Sequence, residues 1–198
     1  MKPRKVVAIV LAAGFSSRMG QLKALLPWKG KTLLEYKVEQ FEEAGMDEII
    51  VVVGYQAEKL VEILSSYDVN TVFNPDFAQG KTTSIRKGVE RLPEDCGGIL
   101  ISAVDQPVAS ETLKVMTDAL RSSNAPVVIP VYRGKRGHPV VFSGRLRQDL
   151  LEVDEATKGL RNVIRNYEKE IREVSVSDET VLWNFNRRED YETSLRGG

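Results

Sequence analysis

Residues Val6 to Lys23, VVAIVLAAGFSSRMGQLK, place an apolar stretch directly before a loop of small residues. Positions 6–11 are apolar on both alternating faces, which is typical of a strand that helices cover on both sides of a parallel sheet. The loop therefore begins at the carboxyl end of a strand, where α/β proteins bind their ligands.

The loop contains the residue types that bind phosphate groups. Ala12, Ala13 and Gly14 have little or no side chain, so their backbone N–H groups can approach an anion closely. Arg18 can bind a phosphate through two parallel hydrogen bonds, and Lys23 supplies a point charge. The alternative interpretation is a glycine-containing turn with two solvated cations.

Two common nucleotide-binding fingerprints do not match the chain. Gly14 and Gly20 lie too far apart for the dinucleotide fingerprint GxGxxG. Residues 80–82, GKT, look like the end of a Walker A loop, but Pro75 stands where that loop requires its first glycine. A simple dinucleotide fold and a P-loop NTPase are therefore both disfavoured.

Length and composition predict one domain, residues 1–198, with a sizeable core. Lys and Arg total 28 and Asp and Glu total 28, so no global field recruits nucleic acid or an anionic membrane. Cys96 is the only cysteine, and no apolar secretory segment opens the chain, which predicts a cytoplasmic protein. The apolar runs are far shorter than the ~20 residues of a membrane helix.

Apolar periodicity predicts helices and strands in alternation along the chain. A capping-box pair, Thr32 and Glu35, starts a helix that ends near Gly45, and Ser110 is the expected N-cap of a later one. This pattern predicts a three-layer α/β/α sandwich, Rossmann-like, with a mostly parallel mixed sheet. The expected strands are 6–11, 48–53, 69–73, 98–104, 126–131, 140–142 and 171–176; the expected helices include one carrying Leu60, Val61 and Leu64, one at 145–151, one at 160–166 and one after Asn186.

Asp105 follows the predicted strand 98–104, so it lies at the same sheet edge as the phosphate-binding loop. One carboxylate next to substrate phosphates is enough to bind Mg²⁺, which predicts a magnesium site here. The alternative is an aspartate that caps a turn before Pro107. A basic hairpin at residues 133–139, RGKRGHP, is expected over this site.

Several motifs together resemble the molybdenum cofactor cytidylyltransferase family, which shares the nucleotide-diphospho-sugar transferase-like fold. They cover nearly the whole chain in the expected order: LAAGFSSRMGQLK, LLPWKGKTLLEY, VDQP, RGHPVVF and NFNRREDYE. The resemblance implies Mg²⁺-dependent transfer of CMP from CTP to the terminal phosphate of molybdopterin, giving a dinucleotide cofactor for a molybdenum hydroxylase client. Ala13 favours CTP, because GTP-using relatives carry glycine there.

The resemblance also implies roles for individual residues. Asp105 and Asn186 would bind metal, although Arg187 and Arg188 stand where the family usually has Thr and Pro. His138 would lie near the molybdopterin, and a histidine packed before a proline is the alternative. The implied nucleotide-binding residues are Leu11, Ala12, Ala13, Gly14, Arg18, Lys23, Asn74, Gly80 and Ser84; Arg18, Lys23 and Asp105 are the implied catalytic residues.

Other interpretations stay open at this point. Residues 82–84 have the composition of a helix cap as well as of a nucleotide pocket. The nucleotide can be GTP, or the acceptor a sugar or alcohol phosphate. A non-catalytic carrier of molybdenum cofactor is a further alternative, and the altered segment at 186–188 favours it.

Overall fold

The computed structural model describes residues 5–196, except for the side chains of Arg18 and Arg196. Within that range the strands are β1 (Lys5–Ala12), β2 (Pro27–Trp28), β3 (Lys31–Thr32), β4 (Glu48–Val53), β5 (Asn70–Phe73), β6 (Cys96–Ala103), β7 (Val127–Tyr132), β8 (Lys135–Arg136), β9 (Val140–Ser143) and β10 (Arg172–Ser175). The helices are α1 (Leu33–Glu43), α2 (Ala57–Leu64), α3 (Lys81–Glu90), α4 (Ser110–Arg121), α5 (Arg147–Leu151), α6 (Leu160–Asn166) and α7 (Arg188–Arg196). None of the helices in this part of the chain combines the length and the apolar composition that crossing a membrane requires.

Eight of the described strands form the main sheet, in the order β10, β7, β9, β6, β1, β4, β5, with β8 paired to β7. β1 pairs in parallel with both β4 and β6, and β4 pairs in parallel with β5. β9 runs antiparallel to both β6 and β7, and β2 and β3 form a separate hairpin. The predicted mostly parallel mixed sheet is therefore confirmed.

β1 lies inside the sheet and is covered on both faces. Val6, Ala8 and Val10 enter one apolar cluster with side chains of α1, α2 and α4. Val7 and Ile9 enter a second cluster with side chains of α3, α5 and α6. All five β1 side chains are completely buried, so the three-layer α/β/α arrangement is confirmed.

The first helix begins and ends where the sequence predicts. Glu35 N donates to Thr32 Oγ1 at 3.2 Å, and Thr32 N donates to the Glu35 carboxylate at 2.9 Å, so the capping box forms. Gly45 has a φ of +72° just beyond the helix end, a conformation that glycine adopts without strain. The local sequence is sufficient for both ends of α1.

The predicted N-cap of α4 was wrong. The N-cap of α4 is Ala109 rather than Ser110, and Ala109 has no side chain that could cap. Side chains from other elements act instead, because Gln40 Oε1 accepts from Ser110 N at 2.9 Å and Asp178 accepts from Ala109 N at 3.4 Å. The helix predicted to carry Leu60, Val61 and Leu64 is α2, in which Val61 is 44% exposed.

A third apolar cluster packs α7 and the segment before it against the β2–β3 hairpin. The Trp28 ring lies 5.3 Å from the Phe185 ring and 6.5 Å from the Tyr191 ring. The Tyr191 hydroxyl donates to Pro27 O. These contacts hold α7 and the segment before it against the β2–β3 hairpin.

Gly88 allows α3 to pack closely on the sheet. A Cβ atom there would lie 2.5 Å from Ile9 Cγ2 and 3.2 Å from Val52 Cγ2. Although alanine favours helices over glycine by about 1 kcal/mol, we expect Gly88→Ala to lower the free energy of unfolding by about 1–3 kcal/mol through overpacking. Urea denaturation measures this, with Glu90→Ala on the exposed face of α3 as the control. A Gly88→Ala variant as stable as the wild type would contradict the packing described here.

Candidate active site

The loop that follows β1 is fixed at both of its ends. Ala13 O accepts a hydrogen bond of 3.0 Å from Tyr55 N, which lies in the loop after β4. Ser16 Oγ accepts from Lys23 N at 3.0 Å, and Ser16 itself adopts a φ of +55°. This hydrogen bond links the turn at Ser16 to the backbone of Lys23.

A cavity of about 440 Å³ lies at the carboxyl ends of β1 and β6. Arg18 lies beside it in the 3-10 turn Ser17–Met19, and its side chain is outside the described part of the structure. The wall brings together predicted residues from well-separated segments: Leu11, Ala12, Ala13, Gly14, Lys23, Gly80, Ser84, Asp105 and Asn186.

Lys23 and Asp105 form an ion pair in the cavity wall. The Lys23 ammonium donates to Asp105 Oδ2, and the two side chains are 14% and 11% exposed. Because water screens such a pair only partly, the attraction exceeds that of a surface ion pair. A phosphate bound at Lys23, or a cation bound at Asp105 Oδ2, would compete with this contact.

The residues around Asp105 are held by short-range hydrogen bonds. Gln106 N donates to Ala103 O at 3.2 Å, and Ala103 N donates to Gln106 Oε1 at 3.1 Å. Val104 N donates to Leu11 O at 3.1 Å, which links this turn to β1. The turn therefore presents the Asp105 carboxylate from a fixed backbone.

A buried lysine of α1 supports the same turn. Lys37 is 1% exposed, and its ammonium donates to Ser102 Oγ at 2.8 Å and to Gln106 O. Burial lowers the pKa of Lys37 to about 7, while the charge of Asp105 opposes the shift. The sequence analysis did not identify Lys37 as a buried residue. Its position among the apolar residues Leu34, Val38 and Phe41 is the signal that could have shown it.

The low pKa of Lys37 makes the stability of the protein depend on pH. The unfolded chain, with a pKa near 10.5, binds a proton that the folded state loses above about pH 7. We expect the free energy of unfolding of the wild type to rise, relative to Lys37→Met, by up to about 1.4 kcal/mol per pH unit above pH 7. Urea denaturation of both proteins between about pH 7 and about pH 10 measures the difference. Parallel pH profiles would show that Lys37 keeps its ordinary pKa.

The segment Asn184 to Asn186 is bonded directly to the Asp105 turn. Phe185 N donates to Asp105 O at 3.1 Å, and the Phe185 side chain is 1% exposed. Both asparagines line the cavity, and Asn184 Oδ1 is buried without a hydrogen-bond partner in the described structure. Asn184 was not predicted as a site residue, although it belongs to the same NFN motif as Asn186.

This set of donors fits a hard divalent cation. Such cations prefer carboxylate, amide and phosphate oxygens, and Asp105, Asn184 and Asn186 supply the first two kinds. No group of three or more His, Cys, Asp or Glu side chains suited to a metal occurs among the described residues. A metal ion bound here would therefore depend on substrate phosphates for part of its coordination.

Asn74 lies behind the cavity wall. It is completely buried, and its Nδ2 is 2.9 Å from both Thr83 Oγ1 and Ser84 Oγ. Since Ser84 lines the cavity and Asn74 does not, the structure places Asn74 as a support for the first turn of α3. Its predicted contact with a nucleotide stays a prediction.

The start of α3 differs from the capping interpretation of residues 82–84. These residues lie inside the helix, and Gly80 occupies the N-cap position. Thr82 N donates to Glu155 Oε1 at 2.9 Å, so a distant carboxylate caps the helix. Residues 82–84 therefore do not act as the N-cap.

His138 does not lie in the cavity wall. Its Nε2 is 2.6 Å from Trp183 O, and His138 N donates to Val181 O at 2.8 Å. Burial lowers the pKa of His138, with the hydrogen bond to Trp183 O opposing the shift. The histidine anchors the segment that leads to Asn184, and its predicted contact with molybdopterin stays a prediction.

The basic hairpin at residues 133–139 forms between β7 and β8. Arg136 pairs with Glu173 at 2.6 Å and with Glu168 at 2.8 Å, near β10. No described residue of this hairpin lines the 440 Å³ cavity. The place of the hairpin over the site therefore stays a prediction.

Three further cavity residues escaped the sequence analysis as site residues. The rings of Phe15 and Phe77 are tilted by 58° with centroids 5.0 Å apart, and Phe15 is 48% exposed. Lys81, the first residue of α3, also lines the cavity. It belongs to the GKT segment at residues 80–82, which resembles the end of a Walker A loop. The fold is not that of a P-loop NTPase, but Gly80 and Lys81 of this segment do line the cavity.

The fold and the cavity together define a class of protein. A mostly parallel sheet, a small-residue loop after its first strand and a lysine–carboxylate pair at the strand ends characterise an α/β nucleotidyltransferase. A family model, the MobA-like NTP transferase domain, matches residues 8–171. The chain belongs to this family.

The chain is also similar to several proteins of known name or structure. Molybdenum cofactor cytidylyltransferase of Escherichia coli K12 is 33% identical over 137 residues, which are 68% of each chain. Nicotine blue oxidoreductase of Paenarthrobacter nicotinovorans is 28% identical over 188 residues, 89% of each chain. A Mycobacterium tuberculosis H37Rv protein solved in complex with manganese is 26% identical, with a TM-score of 0.82 over 98% of this chain and 100% of that chain.

Proposed function

We propose that the protein transfers CMP from CTP to the terminal phosphate of molybdopterin in molybdenum cofactor and releases pyrophosphate. An oxygen of the acceptor phosphate attacks the α-phosphorus of CTP, the bond between the α- and β-phosphates breaks, and a new phosphoanhydride forms. The observation that carries this proposal is the pairing of Lys23 with Asp105 in a cavity at the strand ends. The E. coli relative that is 33% identical is named for this reaction.

Lys23 is suited to phosphate transfer because its ammonium can bind either the Asp105 carboxylate or a substrate phosphate. In the structure it pairs with Asp105. With a nucleotide bound, its ammonium neutralises charge that develops on the leaving pyrophosphate. Ser16 Oγ, which accepts from Lys23 N, keeps the lysine next to the backbone N–H groups of the loop.

The reaction needs no general base. A phosphate monoester is already anionic near pH 7, so alignment and charge neutralisation dominate the barrier. The lowered pKa of His138 keeps that residue neutral, in agreement with a structural role.

We assign Mg²⁺ as the metal ion, with Asp105, Asn184 and Asn186 as its protein ligands. A bound divalent ion would neutralise phosphate charge and orient the phosphate chain. The manganese in the M. tuberculosis structure supports a divalent metal in this fold.

Asp105→Asn tests the metal site without removing the oxygen acceptor for Lys23. We expect kcat/KM for pyrophosphate release to fall by about 100-fold or more, because an amide binds Mg²⁺ weakly and does not neutralise charge. Far-UV circular dichroism and thermal unfolding check that the variant is folded. Asp95→Ala removes an exposed carboxylate that pairs with Lys5 and serves as the matched control. Wild-type turnover by a folded Asp105→Asn protein would remove Asp105 from the site.

Substrate competition separates the proposed reaction from its alternatives. Radiolabelled CTP and GTP are each incubated with molybdenum cofactor, a sugar phosphate or an alcohol phosphate, and the labelled product is separated. Product from CTP and molybdenum cofactor alone supports the proposal, whereas another pair redirects it within the same enzyme class. Binding of molybdenum cofactor with no pyrophosphate release from any nucleotide would favour the carrier role.

A further inference from the structure

Lys81 is a cation of the cavity wall that the proposed mechanism does not use. It is the first residue of α3, its side chain is exposed, and it lines the cavity. Among the described residues, its ammonium has no hydrogen-bond or ion-pair partner.

The backbone that carries Lys81 is fixed on both sides. Asn74 holds the hydroxyls of Thr83 and Ser84 at 2.9 Å. A Cβ atom at Gly80, where φ is +127°, would lie 2.5 Å from Glu155 Oε1, so any other residue there would be strained and would displace the Glu155 side chain. These supports limit the positions that the Lys81 side chain can reach.

The charges of the cavity do not cancel. Its described charged side chains are Lys23, Lys81 and Asp105. Lys23 and Asp105 neutralise each other, which leaves the charge of Lys81 uncompensated within the wall. Although Lys81 keeps contact with solvent, the protein around its ammonium lowers its pKa by desolvation; the charges of Asp105 and Glu155 oppose this shift, and those of Lys23 and Arg161 add to it. Lys81 thus shares one cavity wall with Lys23 and Asp105.

We propose that Lys81 binds a phosphate group of a substrate in this cavity, as a second cation beside Lys23. This inference rests on the proposed nucleotidyl transfer. A compact ammonium on a supported helix turn is suited to a phosphate oxygen, because it offers three donors and a full charge. The phosphate belongs either to the nucleotide or to the acceptor, and the two sources are separable.

Calorimetric titration of the whole protein tests Lys81. The variants are Lys81→Met, which removes the charge and keeps the length, and Lys81→Arg, which keeps the charge. Lys87→Met is the matched control, because Lys87 lies on the same helix and pairs with Glu90 outside the cavity. The probes are CTP with Mg²⁺, CMP with Mg²⁺, inorganic pyrophosphate, and a simple phosphate monoester as an acceptor analogue.

The loss expected in Lys81→Met is about 10- to 100-fold in affinity, the amount that corresponds to one hydrogen bond to a charged group. Lys81→Arg should recover part of the loss, and Lys87→Met should bind like the wild type. A loss for CTP and pyrophosphate assigns Lys81 to the nucleotide phosphates. A loss confined to the phosphate monoester, with a raised KM for the acceptor at unchanged CTP affinity, assigns it to the acceptor.

The results also separate this inference from the proposed function. If wild type and Lys81→Met bind every probe equally while the wild type transfers nucleotide, the role of Lys81 is refuted and the function stands. If the wild type neither binds nor transfers nucleotide but binds pyrophosphate through Lys81, the function fails and the anion site stands. Equal pyrophosphate binding in that case refutes both.

Discussion

The ion pair between Lys23 and Asp105 is the interaction on which the site depends. It joins the loop after β1 to the turn after β6 across the cavity wall. The parallel pairing of β1 with β6 brings these two segments to one edge of the sheet. The adjacency of these two parallel strands therefore allows the ion pair to form.

Buried polar contacts surround this pair and limit its movement. Lys37 supports the turn from within the helical layer, and Phe185 bonds to the backbone of Asp105 from the other side. A buried lysine that loses hydration without a carboxylate partner costs stability, which the lowered pKa of Lys37 expresses. Burial of Lys37 therefore lowers the stability of the protein at the turn that presents the Asp105 carboxylate. Retention of such a cost is typical of sites where position matters more than stability.

The sequence was sufficient where local physics decides the outcome. The apolar run of β1, the capping box at Thr32 and Glu35, and the strand at 48–53 were all confirmed, because each depends on neighbouring residues. The Asp105 position followed from the strand before it.

The sequence was insufficient where distant residues meet. Gln40 and Asp178 replace the expected Ser110 cap, and Glu155 caps α3 from far along the chain. The places of Asn184 and Lys81 in the cavity wall could not be predicted from the sequence. An asparagine before an aromatic residue and a lysine at the start of a helix are both common on protein surfaces.

The most direct measurement is the affinity for Mn²⁺ of the wild type and of Lys23→Met, followed by the electron paramagnetic resonance of the free ion without nucleotide. If Lys23 and a divalent cation share Asp105, removal of the lysine frees the carboxylate, and Lys23→Met binds Mn²⁺ more tightly than the wild type. Lys87→Met, an equal change of charge outside the cavity, should bind Mn²⁺ like the wild type. Equal or weaker Mn²⁺ binding by Lys23→Met would contradict the exchange of partners at Asp105 that this account of the site requires.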